Sequence, residues 1–437
     1  MTRYRAIPVK APETHPWIRF AGTEPDRFYW ERPSEAFALL ALGCRESIEP
    51  KAEERFRAAD QALENLAARV TGLSPGLPLV VGGFAFAPRE PRAAHWAGFP
   101  PARLVLPEML WVRENGTNRA VAFLPLHDQE SDETVAARSR KLAAHWEREL
   151  AAAPGGPGAP SAPEGETTDP LSPSHFQHAA DDALRAIAAG DLEKVVLARR
   201  ERRRRTGGFD ASGCLAALRR DYPSSACFAL ARGKATFLGA TPERLVRVQG
   251  RTLEAGAVAG SAPRGRDTAE DERLGRALRE SKKEQTEHAV VVRAICEALA
   301  GSCLDLDVPE APKLLRLEGI QHLETPIRGR LAPDFRLLEL ARRLHPTPAV
   351  GGSPKQAALR WIDAHESLDR GWYAGCIGHL DAAGGGELCV ALRSALLRGT
   401  DAHLFAGAGL VEGSDTDGEL RETKLKLRAL LDRIEGT

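Results

Sequence analysis

The chain has 437 residues, of which 43% are hydrophobic and 27% are charged, and this composition predicts a large soluble globular protein with two lobes or one unusually big domain. Its 60 basic and 60 acidic residues cancel, so no overall field favours nucleic acid or an acidic surface as a partner. Seven scattered cysteines without a C-x-x-C pair indicate a reducing compartment, with no disulfide framework and no zinc ribbon. The first residues lack an apolar signal core, and no apolar run approaches the roughly 20 residues that span a bilayer, so we expect a cytoplasmic protein that binds no membrane.

Residues 1–152 alternate short apolar runs with turn residues and close in a helical pattern, ARSRKLAAHWERELAAA. The run LPLVVGGFAFAP is predicted to be a buried strand that breaks at Gly82 and Gly83. We find no acid–base pair, nucleophile motif or metal-ligand spacing here. This half is therefore predicted to be scaffold.

Residues 153–173 are rich in Pro and Gly and poor in large apolar side chains. Such a segment cannot bury itself, so we predict a linker or a long loop. Residues 174–437 follow as the predicted catalytic region.

The second half opens with a helical pattern, HFQHAADDALRAIAAGD, that stops at Gly190, and the strand EKVVLAR comes next. Lys194 lies at the beginning of that strand. A lysine here is either a surface residue whose stem lies along apolar neighbours or, when buried, a base with a lowered pKa.

The run from Arg199 to Arg205 contains six arginines and one glutamate. It lacks interleaved aromatic residues, follows a strand and belongs to a chain with no net charge. We therefore interpret it as the solvated end of a strand and predict no nucleic-acid binding.

Two segments carry glutamates in the same spacing. In SKKEQTEHAVVVRAICEALA, Glu284 and Glu287 precede a helical stripe formed by Ala289, Val292, Ile295 and Leu299. In FAGAGLVEGSDTDGELRETKLK, a predicted glycine-rich turn with Gly407 and Gly409 precedes a helix with Glu419, Glu422 and Lys426 on one face.

Two facing helices of this kind would present four carboxylates to one point, and a hard divalent cation such as Mg²⁺ relieves their repulsion. The alternative is a pair of solvated helices with ordinary i,i+4 Glu–Lys pairs.

The other candidate site residues lie outside these two glutamate-containing segments. Glu243 follows a turn in GATPERL and is either a cleft-facing acid or an ordinary exposed glutamate. Ala259 to Ser261 form a predicted turn with exposed backbone donors. His322, Tyr373 and Arg393 are candidate contacts for an anion or a carbonyl group, or ordinary partly buried polar residues. The chain has no Walker, GxGxxG, HExxH or GxSxG motif, which disfavours phosphoryl transfer, nicotinamide chemistry and serine hydrolysis.

The ordered segments resemble the chorismate-utilising enzymes over residues 174–437. They are EKVVLAR, FLGATPERL, AVAGSAPRG, SKKEQTEH, QHLETPIRG, LHPTPAVGG, DRGWYAG, ALRSALL and AGAGLVEGSDTDGELRETKLK. The resemblance implies an α+β fold, with a large two-layered antiparallel β core wrapped by helices and an active site in a cleft of that core.

The resemblance also implies a role for each candidate. Lys194 matches the general base that activates water, and Glu243 matches the general acid. Glu287 and Glu422 match Mg²⁺ ligands, with Glu284 and Glu419 around them. The residues that would bind the substrate chorismate are Gly260, Ser261, His322, Thr347, Ala349, Tyr373, Arg393, Gly407, Gly409 and Lys426. Among these, Tyr373 and Arg393 would hold the enolpyruvyl carboxylate.

Within the family, Val258 to Ser261 and LHPTPAVGG are most similar to the members that add water. Ala259 stands where some aminodeoxychorismate synthases carry a covalent lysine. We therefore expect a Mg²⁺-dependent isochorismate synthase, as a monomer or homodimer, whose product feeds menaquinone, siderophore or salicylate synthesis. The alternatives are a salicylate synthase, an anthranilate synthase component, or a non-catalytic protein that binds chorismate-like dianions.

Overall fold

The computed structural model of the chain describes residues 1–22, 24–51, 53–152, 167–168 and 173–436. Most of the predicted linker, residues 153–166 and 169–172, lies outside these described residues. The helices of the described part are α1 (Arg55–Ala67), α2 (Asp132–Ala151), α3 (Pro173–Ala188), α4 (Ala211–Asp221), α5 (Thr268–Glu280), α6 (Lys282–Leu299), α7 (Leu337–Leu344), α8 (Lys355–His365) and α9 (Thr416–Glu435). Short 3₁₀ helices span Pro16–Ala21, Pro33–Glu35 and Ala94–Trp96.

The strands before the linker are β1 (Arg3–Val9), β2 (Asp26–Arg32), β3 (Phe37–Leu42), β4 (Glu46–Ile48), β5 (Val70–Thr71), β6 (Pro78–Phe84), β7 (Ala102–Leu106), β8 (Met109–Glu114) and β9 (Thr117–Leu126). Those from the linker onward are β10 (Thr167–Thr168), β11 (Lys194–Arg204), β12 (Ala226–Arg232), β13 (Ala235–Thr241), β14 (Arg244–Gln249), β15 (Thr252–Pro263), β16 (Cys303–Asp307), β17 (Lys313–Arg316), β18 (Ile320–Leu331), β19 (Gly352–Ser353), β20 (Cys376–Asp381), β21 (Gly386–Val390), β22 (Ser394–Arg398) and β23 (Asp401–Leu410).

These strands form two large sheets. The first has 13 strands in the order β10-β11-β23-β22-β13-β12-β2-β3-β8-β9-β1-β5, with β19 pairing β11. The second has ten, in the order β16-β18-β15-β14-β21-β20-β6-β7-β4, with β17 pairing β18. All the pairings are antiparallel except that of β1 with β5. Both sheets combine strands from before and after the linker.

The first sheet is covered on both faces because its strands are apolar at consecutive positions. In β2, Phe28 and Trp30 join the main core, which includes residues of the second sheet such as Phe84 and Ile377. Tyr29, between them, faces a second core against α2, α4 and α9. This alternation follows from the two-residue period of a strand. The expected two-layered antiparallel core wrapped by helices is confirmed.

The predictions made from glycines are wrong in three strands, β6, β15 and β23. Strand β6 runs through Gly82 and Gly83 and does not break there. A Cβ on Gly82 would lie 2.0 Å from the carbonyl oxygen of Arg103, and one on Gly83 would lie 2.1 Å from that of Cys376. Close approach of neighbouring strands, and not a turn, therefore requires these glycines.

The same error affects the later glycines. Gly407 and Gly409 lie inside β23, paired with Ala198 and Val196, so the predicted turn at these two residues is wrong. Likewise Ala259 to Ser261 lie inside β15, where a bulge at Gly260 (φ +77°) interrupts the pairing with β18. The predicted apolar stripe of α6 is confirmed at Ile295 and Leu299, which are buried, but it is wrong at Ala289, which is exposed, whereas Val290 and Val291 are buried.

Phe84 offers a test of the packing between β6 and α1. Its ring is fully buried and stacks on Phe56, with ring centroids 4.2 Å apart. We expect Phe84→Ala to lower the free energy of unfolding by about 3–5 kcal/mol because it deletes buried ring surface and leaves a cavity. Urea denaturation measures this change. The matched control Leu304→Ala, at a side chain that is 57% exposed, should change stability by less than about 0.5 kcal/mol.

Among the described helices, none combines the length and the apolar character needed to cross a lipid bilayer.

Candidate active site

Lys194 is the first residue of β11 and pairs with Ser353 of β19. Its side chain is 0% exposed, so the interpretation as a surface lysine is wrong. The Nζ atom lies 2.9 Å from Glu287 Oε1 but without the directionality of a hydrogen bond, and among the described residues it has no hydrogen-bond partner. A Cβ at Gly409 would lie 2.4 Å from Glu287 Oε1 and 2.9 Å from Lys194 Cε. Glycine in β23 therefore makes room for this buried pair.

Glu243 lies between β13 and β14 and is 2% exposed. Its Oε1 accepts a hydrogen bond of 3.2 Å from Thr347 Oγ1, and its carbonyl oxygen accepts one from the Val390 amide. Burial raises the pKa of Glu243 to about 7, against the opposing effects of Thr347, Lys194 and Arg393. A carboxyl group of this kind holds a proton near neutral pH and can donate it.

Four glutamates meet where α6 and α9 begin. Lys283, also on α6, lies among them, with Nζ 3.0 Å from Glu284 Oε1, 2.9 Å from Glu419 Oε1 and 4.0 Å from Glu287 Oε2. Glu284 Oε2 also accepts a hydrogen bond from the Ser261 amide. The fourth carboxylate, Glu422, pairs at 2.6 Å with Lys426 one turn later on α9.

Crowding and burial separate the pKa values of these glutamates. Burial and the neighbouring Glu422 raise the pKa of Glu419 to about 7, and burial raises the pKa of Glu284. Burial also acts to raise the pKa of Glu422, but Lys426 overcomes it and holds that pKa at about 2. The four carboxylates therefore offer more acceptor oxygens than the amino groups of Lys283 and Lys426 contact.

His322 connects the β15 bulge to an arginine. Its Nε2 lies 2.9 Å from Arg393 Nη2, and because a guanidinium only donates, Nε2 must be the acceptor. The Nδ1–H then donates towards Gly260 O (3.2 Å) and Ser261 Oγ (3.0 Å). Burial and Arg393 lower the pKa of His322 to about 3, so the ring is neutral.

Lys426 donates a hydrogen bond of 2.9 Å to the carbonyl oxygen of Gly407. In an antiparallel strand the N–H and C=O of one residue point to the same side, so the Gly407 amide faces Lys426 and not β11. Tyr373 stacks on Phe405 with centroids 5.2 Å apart, and its hydroxyl oxygen is 3.2 Å from where a Gly407 Cβ would lie. Burial raises the pKa of Tyr373 to about 12, so its hydroxyl remains a donor.

The remaining candidates also lie near this group. Arg393 is 9% exposed, and Ala349 packs partly buried against the main core, two residues after Thr347. The structure therefore brings the predicted site residues to one region where β11, β15, β23, α6 and α9 meet.

The sequence profile of the family described as chorismate binding enzyme matches residues 6–435. This chain belongs to the chorismate-binding enzyme family. It is 40% identical over 406 residues to the salicylate biosynthesis isochorismate synthase of Pseudomonas aeruginosa, covering 93% of this chain and 84% of that protein. It is 33% identical over 436 residues to the isochorismate synthase MenF of Bacillus subtilis, covering 94% and 88%.

Among solved structures, the menaquinone-specific isochorismate synthase MenF of Escherichia coli is similar, with a TM-score of 0.79 and 28% sequence identity. The match covers 99% of this chain and 95% of that one. The predicted family and its fold are confirmed.

The four glutamates fit a divalent cation by their chemistry. Carboxylate oxygens are the ligands that Mg²⁺ prefers, and the buried Glu419 Oε2 has no hydrogen-bond partner from the described residues. In the described part of the chain, however, no three His, Cys, Asp or Glu side chains are already grouped as a metal site. The ammonium group of Lys283 lies between the carboxylates instead.

Three further residues contribute to this region and were not predicted from the sequence. Lys283 directly precedes Glu284, and that adjacency was the available signal. Arg370 and Glu366 form a buried ion pair whose i,i+4 spacing was visible in the sequence. Arg370 donates to the carbonyl oxygens of Val196 and Val350, and Glu366 accepts from the Ala198 amide, so this pair holds β11 in place beside Lys194.

The arginine run is less solvated than we expected. Arg199 and Arg205 are buried, and Arg202 and Arg204 pair with Asp401. Most of these arginines therefore contact other parts of the protein, because β11 continues between β10 and β23.

Proposed function

We propose that this protein is an isochorismate synthase, which adds water at C2 of chorismate and releases the C4 hydroxyl as water. The observation that carries the proposal is a fully buried lysine and a buried glutamate held by one segment, since Lys194 pairs with Ser353 and Glu243 accepts a hydrogen bond from Thr347. The names of the most similar relatives support the same reaction.

The reaction needs a base for the attacking water and an acid for a poor leaving group. In the proposed mechanism, a neutral Lys194 takes the proton from water as its oxygen bonds to C2. Glu243, protonated, gives its proton to the departing hydroxyl at C4. The two steps exchange one water for another, so atoms and charge balance.

The hydrogen-bond donors around Lys194 and Glu243 would bind the chorismate dianion. Lys426 and the amides near Gly260, Ser261, Gly407 and Gly409 would hold the ring carboxylate. Arg393 and Tyr373 would hold the enolpyruvyl carboxylate, with His322 orienting Arg393. Since these donors are fixed and buried, they need little rearrangement during the reaction.

We further propose that Mg²⁺ is the cofactor. Glu287 and Glu422 would hold it, with Glu284 and Glu419 around them, and when bound it supplies positive charge to the ring carboxylate of the substrate.

The test of this function is product identity. Purified protein incubated with chorismate and Mg²⁺, without ammonium, should form isochorismate, measured by chromatography. Salicylate with pyruvate as the main product would favour the salicylate synthase alternative, and anthranilate on addition of ammonium would favour the anthranilate synthase alternative. Absence of any turnover, with retained chorismate binding, would favour a non-catalytic binding protein.

The pH dependence tests the role of Glu243. Because Glu243 acts in its protonated form and burial raises its pKa to about 7, kcat/KM should fall as pH rises through this value. Thr347→Val removes a hydrogen bond that lowers the pKa of Glu243, so the alkaline limb should move to higher pH. The pH–rate profile measures both effects. Thr117→Val, at an exposed position in β9, should leave the limb in place, and an unmoved limb in Thr347→Val would contradict the assignment.

A further inference from the structure

A second cavity lies apart from the glutamate cluster, between α1, the segment after β6, the end of α7, and α8. Its volume is about 480 Å³, within the range that holds small organic ligands. None of the candidate catalytic, carboxylate or substrate-binding residues lines it. It is therefore a separate space in the protein.

One buried and one partly buried cation at this cavity have no carboxylate partner among the described residues. Arg55 is 3% exposed and donates only to backbone carbonyl oxygens, those of Ala85, Phe86, Ala87 and Pro101. Lys355 Nζ donates to the carbonyl oxygens of Arg343 and His345, and burial with the nearby Arg342 lowers its pKa to about 8. Carbonyl groups satisfy hydrogen bonds but leave the two positive charges uncompensated. An anion entering this cavity would compensate them.

A third observation concerns His345, which is 4% exposed and lines the same cavity. Its Nε2 donates to the carbonyl oxygen of Phe86, while Nδ1 has no hydrogen-bond partner in the part of the chain that the structure describes. Burial, Arg55 and Lys355 keep the pKa of His345 well below its usual value, so the ring is neutral and Nδ1 is an unused acceptor. A ligand that fits must therefore offer a donor as well as a negative charge.

The remaining side chains of the lining favour a ligand that has an apolar part. Phe56, Phe86, Leu359 and Ile362 supply apolar surface. Four acidic side chains also line the wall. Asp363 pairs with Arg89 and Glu366 with Arg370, while Asp369 accepts from backbone amides and Glu53 is exposed. Among the described residues, none of the four forms an ion pair with Arg55 or Lys355, so a ligand can supply that negative charge.

We propose that this cavity binds a small aromatic carboxylate that carries a hydroxyl group. The carboxylate lies by Lys355 and Arg55, the hydroxyl donates to His345 Nδ1, and the ring packs on the apolar lining. The site does not depend on the function proposed above, because the residues that would contact the ligand's carboxylate, hydroxyl and ring are not among the candidate catalytic, carboxylate or substrate-binding residues.

Binding of 3-hydroxybenzoate to the full chain, without chorismate, tests the site by isothermal titration calorimetry. We expect saturable binding. The neutral analogue 3-hydroxybenzyl alcohol should bind at least about tenfold more weakly, because it loses the charge-assisted contacts. Benzoate, which lacks the donor, and inorganic phosphate, which lacks the ring, should also bind more weakly.

Two variants locate the ligand. Lys355→Gln removes a charge, and Leu359→Trp fills the cavity without removing a hydrogen-bonding group, so each should weaken binding at least about tenfold. Lys141→Gln, on the exposed face of α2, and Arg393→Ala, in the catalytic cluster, should leave the affinity unchanged. Unchanged affinity in both cavity variants, loss of binding in Arg393→Ala, or no saturable binding at millimolar 3-hydroxybenzoate overturns the proposal.

Discussion

Replacing Lys194 by alanine is expected to lower kcat for isochorismate formation by about 10²- to 10⁴-fold, the usual contribution of a general base. The reason is geometric as well as chemical: Lys194 is fully buried, and its Nζ lies 2.9 Å from Glu287 Oε1 in the region that holds the other candidate site residues. Steady-state kinetics with chorismate measures the loss.

A structural role for Lys194 must be separated from a catalytic one. Lys194→Ala leaves the buried Glu287 carboxylate without the amino group that lies 2.9 Å from it, which destabilises the site. Thermal unfolding should therefore accompany the kinetics, and a folded variant with full turnover would contradict the assigned base. Lys313→Ala, at a lysine whose side chain is 62% exposed, is the matched control and should keep wild-type kcat.

The second large effect is expected from the glutamates. Glu287→Gln and Glu422→Gln should abolish Mg²⁺-dependent turnover, because an amide cannot replace a carboxylate in holding a divalent cation. Glu284→Gln and Glu419→Gln should be milder and weaken Mg²⁺ affinity by about 10- to 100-fold, as outer partners of a metal site do. Titration of Mg²⁺ into each variant, followed by calorimetry and by turnover, gives this ranking.

The control for these variants lies on the same helix. Glu297 is exposed on α6, so Glu297→Gln should bind Mg²⁺ as the wild type does. If the wild type still turns over chorismate in the presence of a strong chelator, the proposal that Mg²⁺ is the cofactor is wrong, whatever the variants do. Equal losses in all four glutamate variants would contradict the division into ligands and outer partners.

Much of the site could be predicted because its residues sit in short ordered motifs. The strand beginning at Lys194 and the helix carrying Glu284 and Glu287 were both predicted and are present. The roles assigned to these side chains remain predictions, since they depend on a bound substrate and metal.

The environment of those residues could not be predicted from the sequence. Burial of Lys194 depends on Gly409, which comes from a strand more than two hundred residues later. The glycines of β6, β15 and β23 were predicted to be breaks or turns because local pattern cannot distinguish a turn from a close approach of strands. Lys283 was missed for a related reason, since only the fold brings Glu419 to it.

The pairing of β2 with β12 and of β6 with β20 has a consequence for any attempt to divide the protein. A fragment that begins after the linker would leave one edge of β12 and one edge of β20 without partners. Both strands are largely apolar, ACFALAR and CIGHLD, and unpaired apolar edges recruit other chains. During synthesis, β2 and β6 are made long before β12 and β20, so these two strand pairs can form only after the later strands have been synthesised. The two stretches of sequence are therefore inseparable in assembly, whichever of them carries the chemistry.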